Sequence, residues 1–419
     1  MRTMTLAGVC ILAAAAAACG DAEEGRSGLE SVIRDSAGVT IVENDKPAPE
    51  TRLGWRIAEA PALSIGALEG DPAYELYQVR DAARLPDGRI VVANAGSGEL
   101  RVFDASGTHL ASWGGRGEGP GEFGDFAAPW SVEPWPGDSI AASDLYARRV
   151  SIFNAQGVHG RTFVLEDQYY RLMGVLPDGK MFLGTVPAFV AGTMGTGLVR
   201  REVEYAIAVP DGNLHAALGT YPASEWYIFA EGGGMAPYPQ PFRHSAIAHV
   251  WGDLIVIGSN DLYEIRAYTA DGALARIVRR AHDVRSPTRA DLEDHLDEQY
   301  ADRTEEERAR VLAELEDMPL PGRFPAFGRI LTDSRGSLWV EDYQLPGEPT
   351  PAWTVLDADG RVLGLMDLPL DLRIFEIGEN YLLGSVSDDL GIERVQLWPL
   401  ERSESRQAAG RLAPTATGG

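Results

Sequence analysis

Apolar and polar residues alternate in short runs along most of this chain, and the runs are separated by turn-forming clusters. The clearest unit covers residues 85–123 (LPDGRIVVANAGSGELRVFDASGTHLASWGGRGEGPGEF). Within it, 89–94 (RIVVAN) and 99–103 (ELRVF) are β-branched and alternate as a half-buried strand requires. Ala95, Gly96, Ser97 and Gly98 between them have loop composition. Asp104 and Gly107 suit a type I turn that closes on a left-handed residue, so 99–103 and 109–113 are predicted to form a hairpin.

The same two turns recur. The hairpin turn reappears as FNAQG ending at Gly157, YTADG at Gly272 and LDADG at Gly360, with a looser VPDG at Gly212. The upstream turn reappears at Gly137, Gly179, Gly252 and Gly336. The separation between the two turns is similar in the copies 88–107, 137–157, 252–272 and 336–360, and is stretched only in 179–212. A repeat of roughly 40–55 residues containing four short strands is the spacing of propeller blades. An antiparallel sandwich could contain either turn alone. Two turn types at a matched separation, several times over, favour the β-propeller.

Inner strands are predicted to begin near Val79, Pro129, Tyr170, His244, Gly328 and Leu372, which makes six blades. Residues 40–43 and 53–66 read as strands without a hairpin partner of their own, while the last blade supplies only three strands, at 372–377, 381–385 and 392–398. The N-terminal strand 53–66 is therefore expected to complete that blade, a closure that removes free sheet edges. One insertion, 286–321, is helical. Thr288 with Asp291 and Thr304 with Glu307 are capping-box pairs, followed by apolar stripes at Leu292, Leu296 and Tyr300 and at Val311, Leu312 and Leu315. These stripes either pack over the rim between the fourth and fifth blades or form a lid over the channel mouth.

The formal net charge is −25, and Lys46 and Lys180 are the only lysines, which argues against a nucleic-acid partner. Met1-Arg2-Thr3 followed by the apolar run 6–18 has the form of a secretory signal, too short to span a bilayer. Ala16-Ala17-Ala18-Cys19-Gly20 is similar to a bacterial lipobox, although Ala16 stands where Leu is usual; ordinary signal cleavage nearby is the alternative. Cys10 and Cys19 are the only cysteines, so a chain processed at Cys19 has no internal disulfide. The expected organisation is a lipoprotein signal at 1–19, a polar tether at 20–37, a propeller at 38–402 and a disordered tail at 403–419. Lipid on Cys19 would hold the protein in the cell envelope.

The GGRGEGPGEF segment, the LPDG turns, the FDASG hairpins and the SLWVEDY strand resemble bacterial six-bladed β-propeller lipoproteins related to the NHL-repeat and TolB-like propellers. The resemblance covers most of 38–400. It implies the fold and a secreted, lipid-anchored location, and it carries no catalytic residues.

In a propeller the tight turns share one face, and the loops after each second strand share the other with the links between blades. All the expansions fall on that second face: 114–129, 185–200, 221–243 and 281–327. The candidate ligand-binding residues on it are Arg116, Trp130, Asp144, Trp226, Tyr227, Phe229 and Tyr238. The aromatics around 221–243 suit sugar, peptide or aromatic-ligand recognition, or fill the gap between blades. Asp144 either faces the channel mouth beside Trp130 or anchors a turn.

GGRGEGPG lacks the following helix and the lysine of a phosphate loop, and Asp357-Ala-Asp359-Gly360 lacks the later ligands of a calcium loop. The histidines show no metal-ligand spacing; only His244, His249 and His282 can approach the centre. Glu341 and Asp342 point to opposite faces of a strand and make a poor acid–base pair. No catalytic set, metal or cofactor is assigned. The expected function is a monomeric, lipid-anchored binding scaffold for a protein, peptide or glycan. The alternative is a hydrolase or lyase at the channel mouth, with or without a bound metal.

Overall fold

The computed structural model describes residues 29–124, 128–165, 168–186, 195–231, 234–301, 303–315, 318–348, 352–369 and 372–403. The signal segment 1–19 with Cys19, the first part of the proposed tether and the tail from 404 lie outside the described residues.

The protein is a β-propeller assembled from six separate sheets, each begun by one strand at the centre of the array. Those first strands are Val79–Arg84, Ser131–Trp135, Tyr170–Val175, Ala246–Trp251, Phe327–Thr332 and Arg373–Ile377, starting within two residues of the predicted positions. Each touches the first strand of the next sheet, and Arg373–Ile377 in turn touches Val79–Arg84. A distinct apolar cluster fills every gap between neighbouring sheets, the one between the sixth and first included. Because sheets are covered on both faces, middle strands are buried on both faces; every residue of Ile90–Asn94 is buried. This explains why strict alternation fades in those strands.

The repeated turns are present as read. Gly107 adopts φ 83° and donates its N–H to the Asp104 carbonyl, while the Asp104 carboxylate accepts the N–H groups of Ser106 and Thr108. Gly88, at φ 89°, closes the upstream turn on Leu85 in the same way.

The N-terminal segment departs from expectation. Ser31–Ser36, read as tether, pairs antiparallel with Val39–Asn44, so the strand at 40–43 does have a hairpin partner. Val39–Asn44 also runs parallel to Leu274–Arg280 on the outer edge of the fourth sheet. The chain continues past the fifth sheet, where Leu53 donates to the Leu365 carbonyl at 2.8 Å. It then reaches the sixth, where Leu63, Ser64 and Ile65 pair with Leu397, Gln396 and Val395. The stretch 53–66 is thus not one strand but two short pieces, Arg56–Ile57 and Leu63–Ile65, both on Glu393–Glu401. Asn44 joins this belt to two sheets. Its amide donates to the carbonyls of Arg279 (3.0 Å) and Gly360 (2.9 Å), and its oxygen accepts from the Val362 N–H (3.1 Å).

Among the described residues no helix is long and apolar enough to cross a membrane.

Candidate functional site

The two largest expansions pack on each other. Residues 221–243 do not form a loop: Leu214–Glu231 and Gly234–Pro239 are the strands of a long hairpin that extends the third sheet. Helices α1 (Arg289–Gln299) and α2 (Glu305–Glu314) carry the two expected capping boxes and lie against it. Phe242, Leu292, Leu296, Leu315, Met318 and Phe324 form a buried cluster, with Tyr227, Phe229 and Tyr238 packed at its edge. The Tyr238 and Tyr300 hydroxyls meet at 3.2 Å. Three of the hairpin's four candidate aromatics therefore hold the helical insertion, and the insertion's stripes are covered by the hairpin. Trp226, on the alternate face of the same strand, is half-buried opposite Pro239.

The GRGEGPGEF segment is a folded loop that places Phe123 in the core between the first and second sheets. Gly114 has to be a glycine, since a Cβ there would lie 2.4 Å from the Phe123 ring. Arg149 ties the loop down by donating to the carbonyls of Gly117 (3.2 Å), Glu118 (3.3 Å) and Glu122 (2.7 Å). Arg116 folds back to the Gly96 carbonyl at 2.8 Å. Asp144 is buried and accepts the N–H groups of Gly124 (2.8 Å) and Ala147 (3.0 Å), beside the Arg149 guanidinium at 3.7 Å. These contacts make it an anchor of the loop.

The chemistry concentrates elsewhere, on the first strands. Each begins at the expanded face, so its first three residues lie near that mouth of the central channel. Asp81, Glu133, Arg171 and Arg373 occupy those early positions, and Glu376 lies one step deeper. Asp81 accepts the N–H groups of Val132 (3.0 Å) and Ala82 (2.9 Å). Glu376 accepts the Arg84 N–H at 2.9 Å and the Tyr381 hydroxyl. Arg373 donates to the carbonyls of Val79 (3.4 Å) and Arg80 (2.9 Å), and the Arg80 guanidinium stacks on Trp130, 4.7 Å from the ring centre. Trp130 in turn meets the exposed Tyr146 edge-on at 6.3 Å.

These side chains keep some surface open to the channel, but protein surrounds it on all sides, and removal from bulk water governs their ionisation. Burial pushes the Asp81 carboxyl up from 3.8 to about 6, against hydrogen bonds from Val132 and Ala82 that favour its charged form. Burial also raises Glu133 well above the usual carboxylate range, reinforced by the negative charges of Asp81 and Glu376 and opposed by Arg171. Glu376 is raised by burial as well. Burial lowers Arg171, with Asp81 and Glu133 acting in the other direction. Among the described residues, neither Glu133 nor Arg171 has a hydrogen-bond or ion-pair partner. The signal that could have found this set is a charged residue near the start of several first strands, as in VRDAAR, SVEPW and YRLMGV.

Of the three histidines considered, His249 lies on a first strand, with Nδ1 2.9 Å from the Val250 carbonyl; burial lowers its pKa. His244 is buried against Glu225, 3.3 Å away, and His282 stands beside Tyr263. Glu341 and Asp342 diverge, Glu341 to Arg329 and Asp342 to Arg280. Among the described residues no group of three His, Cys, Asp or Glu side chains is placed to hold a metal ion.

No family model matches the chain, and no curated protein does. Similarity is found among solved structures. A Bacteroides fragilis protein described as exported is 12% identical, covering 87% of this chain and 100% of its own, with TM-score 0.48. A DUF4221-family member from Bacteroides vulgatus is 12% identical over 83% and 99%, with TM-score 0.47. Virginiamycin B lyase from Staphylococcus aureus is 9% identical over 83% and 99%, with TM-score 0.39.

Proposed function

We propose that this chain is an exported, lipid-anchored, monomeric six-bladed propeller, its ring completed by the N-terminal segment, that acts as a binding scaffold. The ligand is taken at the channel mouth on the expanded face. The signal-like run before Cys19 supports the location, and the pairing of Leu63–Ile65 with Glu393–Glu401 supports the closure. The observation that carries the binding reading is the pair Arg171 and Glu133, ionisable groups on neighbouring first strands near the channel mouth that act on each other's ionisation but make no hydrogen bond among the described residues. Such groups are costly unless something meets them, and a ligand supplies what the protein withholds.

Co-purification from the native envelope tests this reading. Wild-type chain should retain an envelope component that Arg171→Glu loses; equal recovery by both would remove the channel mouth as the binding site.

A second reading is a hydrolase or lyase at the same mouth. It is favoured by Asp81, whose pKa of about 6 places proton transfer near neutral pH. Turnover of a co-purified ligand that stops in Asp81→Asn while binding persists would decide for it.

A further inference from the structure

The mouth of the channel is rich in guanidinium groups in a chain whose formal net charge is −25. Arg80, Arg171 and Arg373 gather there, and among the described residues none of them lies within ion-pair distance of a carboxylate. Arg373 is occupied by the carbonyls of Val79 and Arg80, and Arg80 by the face of Trp130. Arg171 is exposed and makes no hydrogen bond among the described residues, so its fork of donors is unspent. On the neighbouring first strand Glu133 is also without a hydrogen bond, and Asp81 has spent one oxygen on Val132 and the other on Ala82.

We propose that this mouth recognises a small ligand bearing a carboxylate, held by the Arg171 guanidinium and by the Glu133 carboxylic acid as a hydrogen-bond donor. The proposal rests on the binding reading above and names its ligand class. A guanidinium meets a carboxylate through two parallel hydrogen bonds, a geometry available here because no side chain of the protein occupies it. The acids set the charge of the ligand: Asp81 and Glu376 flank Glu133, so a singly charged group fits where a doubly charged phosphate is repelled. A protonated Glu133 supplies the hydrogen that a second anion in this space requires. The charged groups facing Glu133 are Asp81, Glu376 and Arg171, with Arg373 acting on Asp81. Entry of an anion therefore favours proton uptake at the Asp81–Glu133 pair, and binding strengthens as pH falls.

Titration calorimetry on the full chain in detergent, with acetate, glucuronate and inorganic phosphate as separate probes in mildly acidic and mildly alkaline buffer, tests this. The carboxylates should bind, tightening by up to about tenfold per unit fall in pH if one proton is taken up. Arg171→Ala should abolish binding, and Arg171→Lys should weaken it by about tenfold through loss of the paired hydrogen bonds. Glu133→Gln should bind with a flatter pH dependence. Since Arg171 is exposed and unbonded, its variants should keep the wild-type circular dichroism and melting. Phosphate binding as well as the carboxylates in the alkaline buffer, where phosphate is doubly charged, binding that survives Arg171→Ala, or no carboxylate binding in acid would each overturn the proposal. If carboxylates fail while Arg171→Glu still loses an envelope component, the ligand class falls and the binding reading stands.

Discussion

The Asp81 carboxylate accepts the backbone N–H of Val132 at 3.0 Å, so a channel side chain of the first sheet is bonded to the first strand of the second. Glu376 repeats the device between the sixth sheet and the first, through the Arg84 N–H at 2.9 Å. The channel acids are thus ties between sheets as well as charges. Asp81→Ala leaves the N–H groups of Val132 and Ala82 without an acceptor and should cost about 1–3 kcal/mol in urea unfolding. Asp81→Asn keeps an acceptor and should cost less. Equal losses would show that the hydrogen bonds contribute nothing.

The pH dependence of stability follows from the same acids. Asp81, Glu133 and Glu376 all have raised pKa values in the folded protein, so the native state holds protons that the unfolded chain has released. Stability then falls as pH rises from the ordinary carboxylate range through about 6, and further as Glu133 ionises. Glu133→Gln removes one such group. Its melting temperature should exceed that of wild type at neutral and alkaline pH, and the gain should vanish in acid. A gain independent of pH would contradict this assignment.

The side chain of Arg402 is buried, pairs with the buried Asp333 carboxylate at 2.7 Å and stacks over Trp55, 4.6 Å from the ring centre. Asp333 also accepts the Trp339 indole N–H at 2.9 Å. Arg402→Ala strands a buried carboxylate and should cost about 3–5 kcal/mol in denaturant unfolding. Truncation after residue 401 should match it.

Asn44 should be as important to the N-terminal belt. Asn44→Ala removes the acceptor of the Val362 N–H and the donor to two carbonyls, and should cost about 2 kcal/mol. Hydrogen exchange should accelerate first in Val39–Asn44 and in its neighbour Leu274–Arg280.

The aromatic hairpin should behave as core. Phe242 packs on Phe324 with ring centres 4.8 Å apart, and Phe242→Ala should destabilise by about 3–5 kcal/mol. The variant should bind an apolar dye more strongly, and carboxylate affinity at the channel should stay unchanged. A selective loss of ligand with no loss of stability would return these aromatics to a recognition role.

Local chemistry was legible in the chain. The Asp104–Gly107 turn is built from hydrogen bonds within five residues, and both capping boxes span four, so their signatures stand in the sequence beside one another. Ser31–Ser36 was not legible, because its mostly exposed residues show no alternation, and the strand beside its partner lies more than two hundred residues away. The aromatics at 227–238 read correctly as a cluster, but a sequence has no means of saying whether a ring faces solvent or a helix inserted sixty residues later.

Turn chemistry and the period of apolar residues thus determined, from the sequence alone, that the chain forms short-stranded sheets and where each begins. What those sheets enclose was decided by tertiary structure. Asp81, Glu133 and Arg171 belong to three different repeats and act on one another's ionisation only because their strands converge on one channel. Hydrogen bonds and side-chain period are set by near neighbours along the chain. Desolvation and Coulomb energy depend on which distant segments arrive at the same place, so the charged mouth is a property of the assembled sheets.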